Sequence, residues 1–207
     1  TRHSFVLRCL PPQLPGQQIL DAELVLDPAV PFSVQRDGFG NLLQAGCIQD
    51  PHASFHYTAR GTALRDDTRR QPEPCHPVFR MESAYTRPDP DMTGWLASLS
   101  LPDTPRQLAW ALAQAVHDRI AYVPGATGVA TTAAQAFAAG QGVCQDFAHI
   151  YLAMARKAGL AARYVNGLPE GEGASHAWCE VWLDGIWTGI DPTRLQWTDE
   201  GYLRFGI

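Results

Sequence analysis

Lysine is almost missing from this chain: of its 16 basic residues only Lys157 is a lysine, and the other fifteen are arginines scattered along the length. Set against 21 acidic residues they leave a net charge of −5, with 9 basic and 11 acidic residues before position 101 and 7 and 10 after it. No basic half exists to neutralise phosphates, which excludes a nucleic-acid partner. Long hydrophobic runs are absent too. No apolar run exceeds six residues, where a bilayer span needs about 18, and the N-terminus lacks the basic-then-apolar layout of a secretory leader. The expectation is a soluble, cytoplasmic protein with no membrane partner, although a chain that opens on Thr1 leaves room for a removed leader.

Cysteine is sparse and unpaired in pattern. Cys9, Cys47, Cys75, Cys144 and Cys179 are odd in number and contain no CxxC, which argues against a disulfide framework and a zinc knuckle and for a reducing compartment. His52 and His56 are four apart, but in strand-like SFHY that spacing separates the rings by about 13 Å. Cys75-His76 stands among prolines with no second pair, and no phosphate-binding glycine loop is present. Neither a metal nor a cofactor is expected.

With 45% apolar and 10% aromatic residues the chain has enough to build a core. Proline divides it: 13 of 16 prolines lie at or before Pro105. Up to about residue 60, strand-forming runs (SFVLRCL, AELVLD, FSVQRD, SFHYTAR) alternate with turn signals such as PPQLPG and DGFGN. A proline-rich stretch over about 66–103 reads as a long surface connection. Residues 1–100 are therefore taken as a β-rich N-terminal domain, and 101–207 as a second domain.

The second domain opens on Thr104-Pro105-Arg106-Gln107, which predicts a capping box and a helix over 105–120 with a buried stripe of Leu108, Leu112, Val116 and Ile120. Thr132 and Gln135 repeat the start signal for a short helix closed by Gly140. GVCQDFAHIYLAMARKAGL follows as a central helix, with Phe147, Ile150, Tyr151, Met154 and Ala158 on one stripe and Gly159 at its end. Period-two runs then predict an antiparallel sheet, LAARYVNG, HAWCEVWL and IWTGI, with Asp184-Gly185 as a hairpin turn.

Cys144 falls in the first turn of the central helix, where free amides and the helix dipole favour a thiolate. Gly140 and Gly142 flank it and leave room for a substrate backbone, and the Cys144 amide is placed for a developing oxyanion. In a two-residue hairpin, paired positions put Asp191 opposite Trp178 and diagonal to His176 on one face, within side-chain reach at about 7–8 Å between backbones. A thiol, a base and a group to orient the base thus converge. Trp178 either lines the cleft or packs the sheet. Cys179 faces the opposite side, as core. Asp146 reads as a brace near the helix start, and His149, about 140° around the helix from Cys144, is excluded as the base.

The strings GVCQDFAHIYLAMARKAGLAARYVNG and SHAWCEVWLDGIWTGIDPT resemble the bacterial transglutaminase-like superfamily, whose fold is a papain-like α+β core. Cys144, His176 and Asp191 match its catalytic Cys, His and Asp over about residues 131–194, and the region around DGFGN resembles the β-rich N-terminal region often joined to that core. The resemblance implies acyl transfer through a thioester on a peptide or protein substrate, by hydrolysis or amine transfer. It also implies a further strand or cleft-covering segment after YLRFGI, since relatives commonly continue there. The aromatic oxyanion residue of the animal enzymes has no match, Tyr122 being only a guess, and no acidic loop supports their calcium dependence. A papain-like module that binds or scaffolds without turnover is the alternative reading. Oligomeric state is left open.

Overall fold

The structure is a computed structural model and describes residues 2–207. The fold is mixed α+β, as expected. The chain groups into two compact units, one made of residues 1–71, 166–175 and 200–207, the other of 72–165 and 176–199.

In the first unit β1 (His3–Leu7), β4 (Leu42–Ile48) and β3 (Phe32–Arg36) form an antiparallel sheet in the order β1-β4-β3. β2 (Gln17–Asp27) and β5 (His56–Arg65) pair as a separate long antiparallel ribbon. The four runs picked out by sequence fall on β1, β2, β3 and β5. β4 was not among them: LLQAGCI has glycine and glutamine in its middle, which weakens its apolar alternation. Phe5, Leu26 and Ile48 are the buried residues of a small core. The last strand, β12 (Tyr202–Gly206), pairs with the second half of β8 (Ala162–Pro169), which belongs to this unit. Buried Gln17 ties in the same region, its side chain bonding the carbonyls of Pro12 and Arg204 and the N–H of Arg204.

The second unit holds the main core. Residues 72–100, grouped by sequence with the N-terminal part, fall here. They include a helix that the sequence reading left as connection, α1 (Pro90–Ser98), whose Met92 is fully buried. Its start signal was present: Asp89 accepts from the Met92 N–H and Pro90 takes the first helical position. α2 (Pro105–Arg119) begins at Thr104 and buries Leu112, Val116 and Ile120 as expected, with Leu108 half-buried. The capping box at its start does not form. The Thr104 hydroxyl donates to the Gln107 side chain at 2.6 Å, and the Thr104 side chain makes no bond to the backbone of the first turn. At α3 (Ala133–Ala139) the box is complete, and Gly140 closes the helix at φ 66°.

Two short strands, β6 (Ala121–Tyr122) and β7 (Gln141–Gly142), pair in parallel just before the central helix α4 (Cys144–Lys157). α4 lies against β9 (His176–Leu183) in a sheet ordered β11-β10-β9-β8, with β10 (Ile186–Asp191) and β11 (Gln196–Trp197) completing this unit's share. The β9–β10 hairpin pairs Leu183 with Ile186 and Cys179 with Ile190, the register of a two-residue turn. Asp184 and Gly185 take φ of 51° and 88°, the left-handed pair that such a turn requires. The face of the sheet away from α4 is closed by Arg163, which bonds Glu180 at 2.7 Å and stacks over Trp187 at 4.2 Å.

Candidate active site

The hairpin register carries Asp191 beside His176. The Asp191 carboxylate is fully buried, and its Oδ2 lies 2.7 Å from Nε2 of His176. A carboxylate only accepts, so Nε2 carries the proton and Nδ1 is the nitrogen left for another partner. The other carboxylate oxygen accepts from the N–H groups of Thr193 and Arg194 at 2.9 and 3.1 Å. Those bonds fix the carboxylate beside the ring.

Cys144 is the first helical residue of α4 and is half-buried. Its sulfur is hydrogen-bonded to His176 and accepts from the backbone N–H groups of Ala177 and Gln145. Burial alone would push the thiol up. The bonds to His176 and Ala177, the charge of His176 and the Gln145 amide together outweigh it, and the thiol falls below its ordinary value of 9.0. On His176 burial disfavours the imidazolium, but the bonds to Asp191 and Cys144 and their charges raise it to about 9. The arrangement favours a thiolate–imidazolium pair over a neutral thiol and imidazole.

The donors at the start of α4 can be accounted for one at a time. The Val143 N–H goes to Asp146 Oδ2 at 2.7 Å, the Gln145 N–H to the thiol sulfur, and the Asp146 N–H to the Val143 carbonyl at 2.8 Å. That carbonyl also accepts from the Phe147 N–H at 3.1 Å. Because C=O and N–H of one trans peptide point in opposite directions, the Cys144 N–H is turned out of the helix end, where helical geometry offers it no partner.

Structure brings Cys144, His176 and Asp191 together, places Gly142 differently from expectation, and puts Trp178 in the packed position of its two readings. Gly142 is buried, and a side chain on it would meet the Cβ and Oδ2 of Asp146 at 2.6 Å. The space is filled by a carboxylate, not held open for a substrate backbone. Trp178 is 2% exposed and stacks beside the His176 ring at 6.4 Å, so it shields the imidazole and offers a substrate almost no surface. Cys179 is buried in the core with its thiol on the Ala148 carbonyl, pushed up chiefly by burial. His149 packs between Tyr85 and Tyr164 at 5.7 and 5.4 Å. Tyr122 pairs with Gly142, places its ring 6.3 Å from Phe147 and is 55% exposed. Thr127, which sequence reasoning passed over, donates to Asp146 at 2.5 Å from a loop with no local motif to mark it. Among the described residues no group of three or more His, Cys, Asp and Glu side chains suits a metal ion. No helix among them is long and apolar enough to cross a membrane.

Comparison with known proteins bears on this grouping. Residues 95–192 match the transglutaminase-like superfamily and residues 1–63 match the bacterial transglutaminase-like N-terminal region. An uncharacterized protein of Mycobacterium tuberculosis is 29% identical over 227 residues, covering 92% of this chain and 72% of its own length. One of Mycobacterium leprae is 37% identical over 113 residues, covering 50% of this chain and 40% of its own. Among solved structures, a candidate cysteine protease from Cytophaga hutchinsonii shares the fold with a TM-score of 0.82 at 20% identity, over 100% of this chain and 76% of that one. Residues 95–192, which contain all three site residues, thus match the transglutaminase-like superfamily, and residues 1–63 match the bacterial transglutaminase-like N-terminal region.

Proposed function

We propose that the protein is a cysteine-dependent acyl-transfer enzyme acting on peptide or carboxamide bonds, with hydrolysis as its main outcome. The Cys144 thiolate attacks the carbonyl carbon, and the oxyanion that forms meets the outward Cys144 N–H. The C–N bond breaks as His176 gives its proton to the departing amine, which leaves a thioester on Cys144. Water, deprotonated by His176, then releases the acid; an amine in its place gives cross-linking. Asp191 keeps Nδ1 of His176 turned to the sulfur throughout. The match of residues 95–192 to the transglutaminase-like superfamily supports the cysteine chemistry in general. The observation that carries the reading for this chain is the bond from His176 to a fully buried Asp191, made while the same ring holds the Cys144 sulfur.

The test is selective alkylation. Iodoacetamide near pH 6 should label Cys144 much faster than Cys9, Cys47, Cys75 or Cys179, and His176→Ala should slow that labelling sharply. A panel of peptides and amides, assayed for ammonia release and for amine incorporation, then separates hydrolysis from transfer. Equal, slow labelling of all five cysteines would remove the thiolate and leave a binding module.

A further inference from the structure

Asp146 is wholly buried two residues after Cys144, yet it takes no part in the chemistry above. One oxygen holds three elements at once: it accepts the Val143 N–H and the Thr127 hydroxyl, and it fills the space beside Gly142. Gln145 adds a second tie, its side chain donating to the Gly128 carbonyl at 3.4 Å. The segment entering the helix and the loop over residues 123–131 are thus fastened to the first turn of α4. The other Asp146 oxygen is buried with no partner among the described residues. A buried carboxylate left half unsatisfied is destabilising, so its presence calls for a return elsewhere.

That return is the orientation of one peptide plane. The Val143–Cys144 peptide carries the N–H that faces the reacting carbonyl, and Val143 is the residue that Asp146 grips. Helical bonding to the Val143 carbonyl fixes one side of this plane and the carboxylate fixes the residue before it. We infer that Asp146, with Gly142 and Thr127, is a positioning clamp that aims the Cys144 amide at the oxyanion. This rests on the acyl-transfer reading.

Two reactions of the same sulfur separate the clamp from a purely structural role. Alkylation by iodoacetamide forms no oxyanion, whereas the acylation burst with p-nitrophenyl acetate passes through one. For Asp146→Ala the burst rate constant should fall about 100-fold or more, the usual effect of losing an oxyanion donor, while iodoacetamide labelling of Cys144 stays within about threefold and the Km for the ester changes little. Asp146→Asn keeps an acceptor for Val143 and should restore most of the burst. Gly142→Ala should reproduce the alanine variant, because the new methyl displaces the carboxylate. Thr127→Val, which leaves the fold's interior filled, gives a milder loss in the same direction and covers the case in which Asp146→Ala does not fold. Burst and labelling falling in parallel in Thr127→Val and Gly142→Ala would overturn the clamp, as would an undiminished burst in Asp146→Ala. Fast labelling without any burst in the unsubstituted protein would instead sink the acyl-transfer reading and the clamp with it.

Discussion

His176 and Cys144 shift in opposite directions because each stabilises the charged form of the other, and on His176 the bond to Asp191 adds the larger part. The pH consequence can be given a sign. In the proposed mechanism turnover needs the imidazolium as acid, so its alkaline limb should lie near about 9, where His176 loses its proton. Asp191→Asn removes the charge that holds that proton and should move the limb down toward the ordinary 6.5. Iodoacetamide labelling needs only the thiolate and should not decline over the same range. A limb that stays put in the Asp191→Asn variant would mean that the carboxylate does not govern the ring. In stability, the raised His176 value favours the folded state fully below 6.5, and the benefit is gone once pH has passed about 9. The grouping of Cys144, His176 and Asp191 was legible in the sequence because each lies at an element end that local signals mark: a helix start, a strand start and the far end of a hairpin. Gly142 was not. Its neighbour Asp146 reaches it by folding back over one helical turn, and a glycine that admits a substrate has the same sequence signature as one that admits a carboxylate.

Among the elements, the β9–β10 hairpin has the most direct bearing on the site. Its two-residue turn sets the parity that puts His176 and Asp191 on one face. Gly185 takes φ 88° there, and an alanine in that left-handed position costs roughly 1–2 kcal/mol. Gly185→Ala is therefore expected to lower the unfolding free energy measured in urea by that amount without slowing Cys144 labelling in the folded protein. A labelling loss larger than the stability loss would show that the turn does more than hold register. α1 illustrates the opposite limit. Its Asp-Pro start was present in the sequence, but nine residues with prolines on both sides show too little periodicity to separate a helix from a connection. The failed capping box of α2 is a similar case. Thr and Gln three apart allow the box without fixing it: their side chains bond each other at both helices, and only at α3 do the backbone bonds accompany that contact.

For the whole molecule, the grouping into units changes which substitutions should matter to the site. Met92 is buried in the larger core with Leu112, Ile150 and Val181. Met92→Ala should therefore cost about 2–5 kcal/mol, as large-to-small changes in a packed core do, measured by urea unfolding with Cys144 labelling as the probe. A loss below about 1 kcal/mol, the range of surface changes, would detach α1 from that core.

The resemblance of the motif strings supplied the papain-like α+β class, while composition and periodicity determined a β-rich first half, the central helix with Cys144 at its head, and the hairpin whose parity joins His176 to Asp191. These follow from local rules, since cap residues, glycines with left-handed backbone and apolar spacing act within a few positions. Tertiary structure decided the rest: which core owns residues 72–100, that Gly142 makes room for Asp146, that Trp178 shields the imidazole, and that Thr127 reaches the start of α4. The placement of residues 72–100 and the bond from Thr127 depend on contact between separate segments, set by the path of the backbone; the Gly142–Asp146 and Trp178–His176 contacts are close in sequence, but they depend on side-chain conformations that a pattern of residue types does not encode.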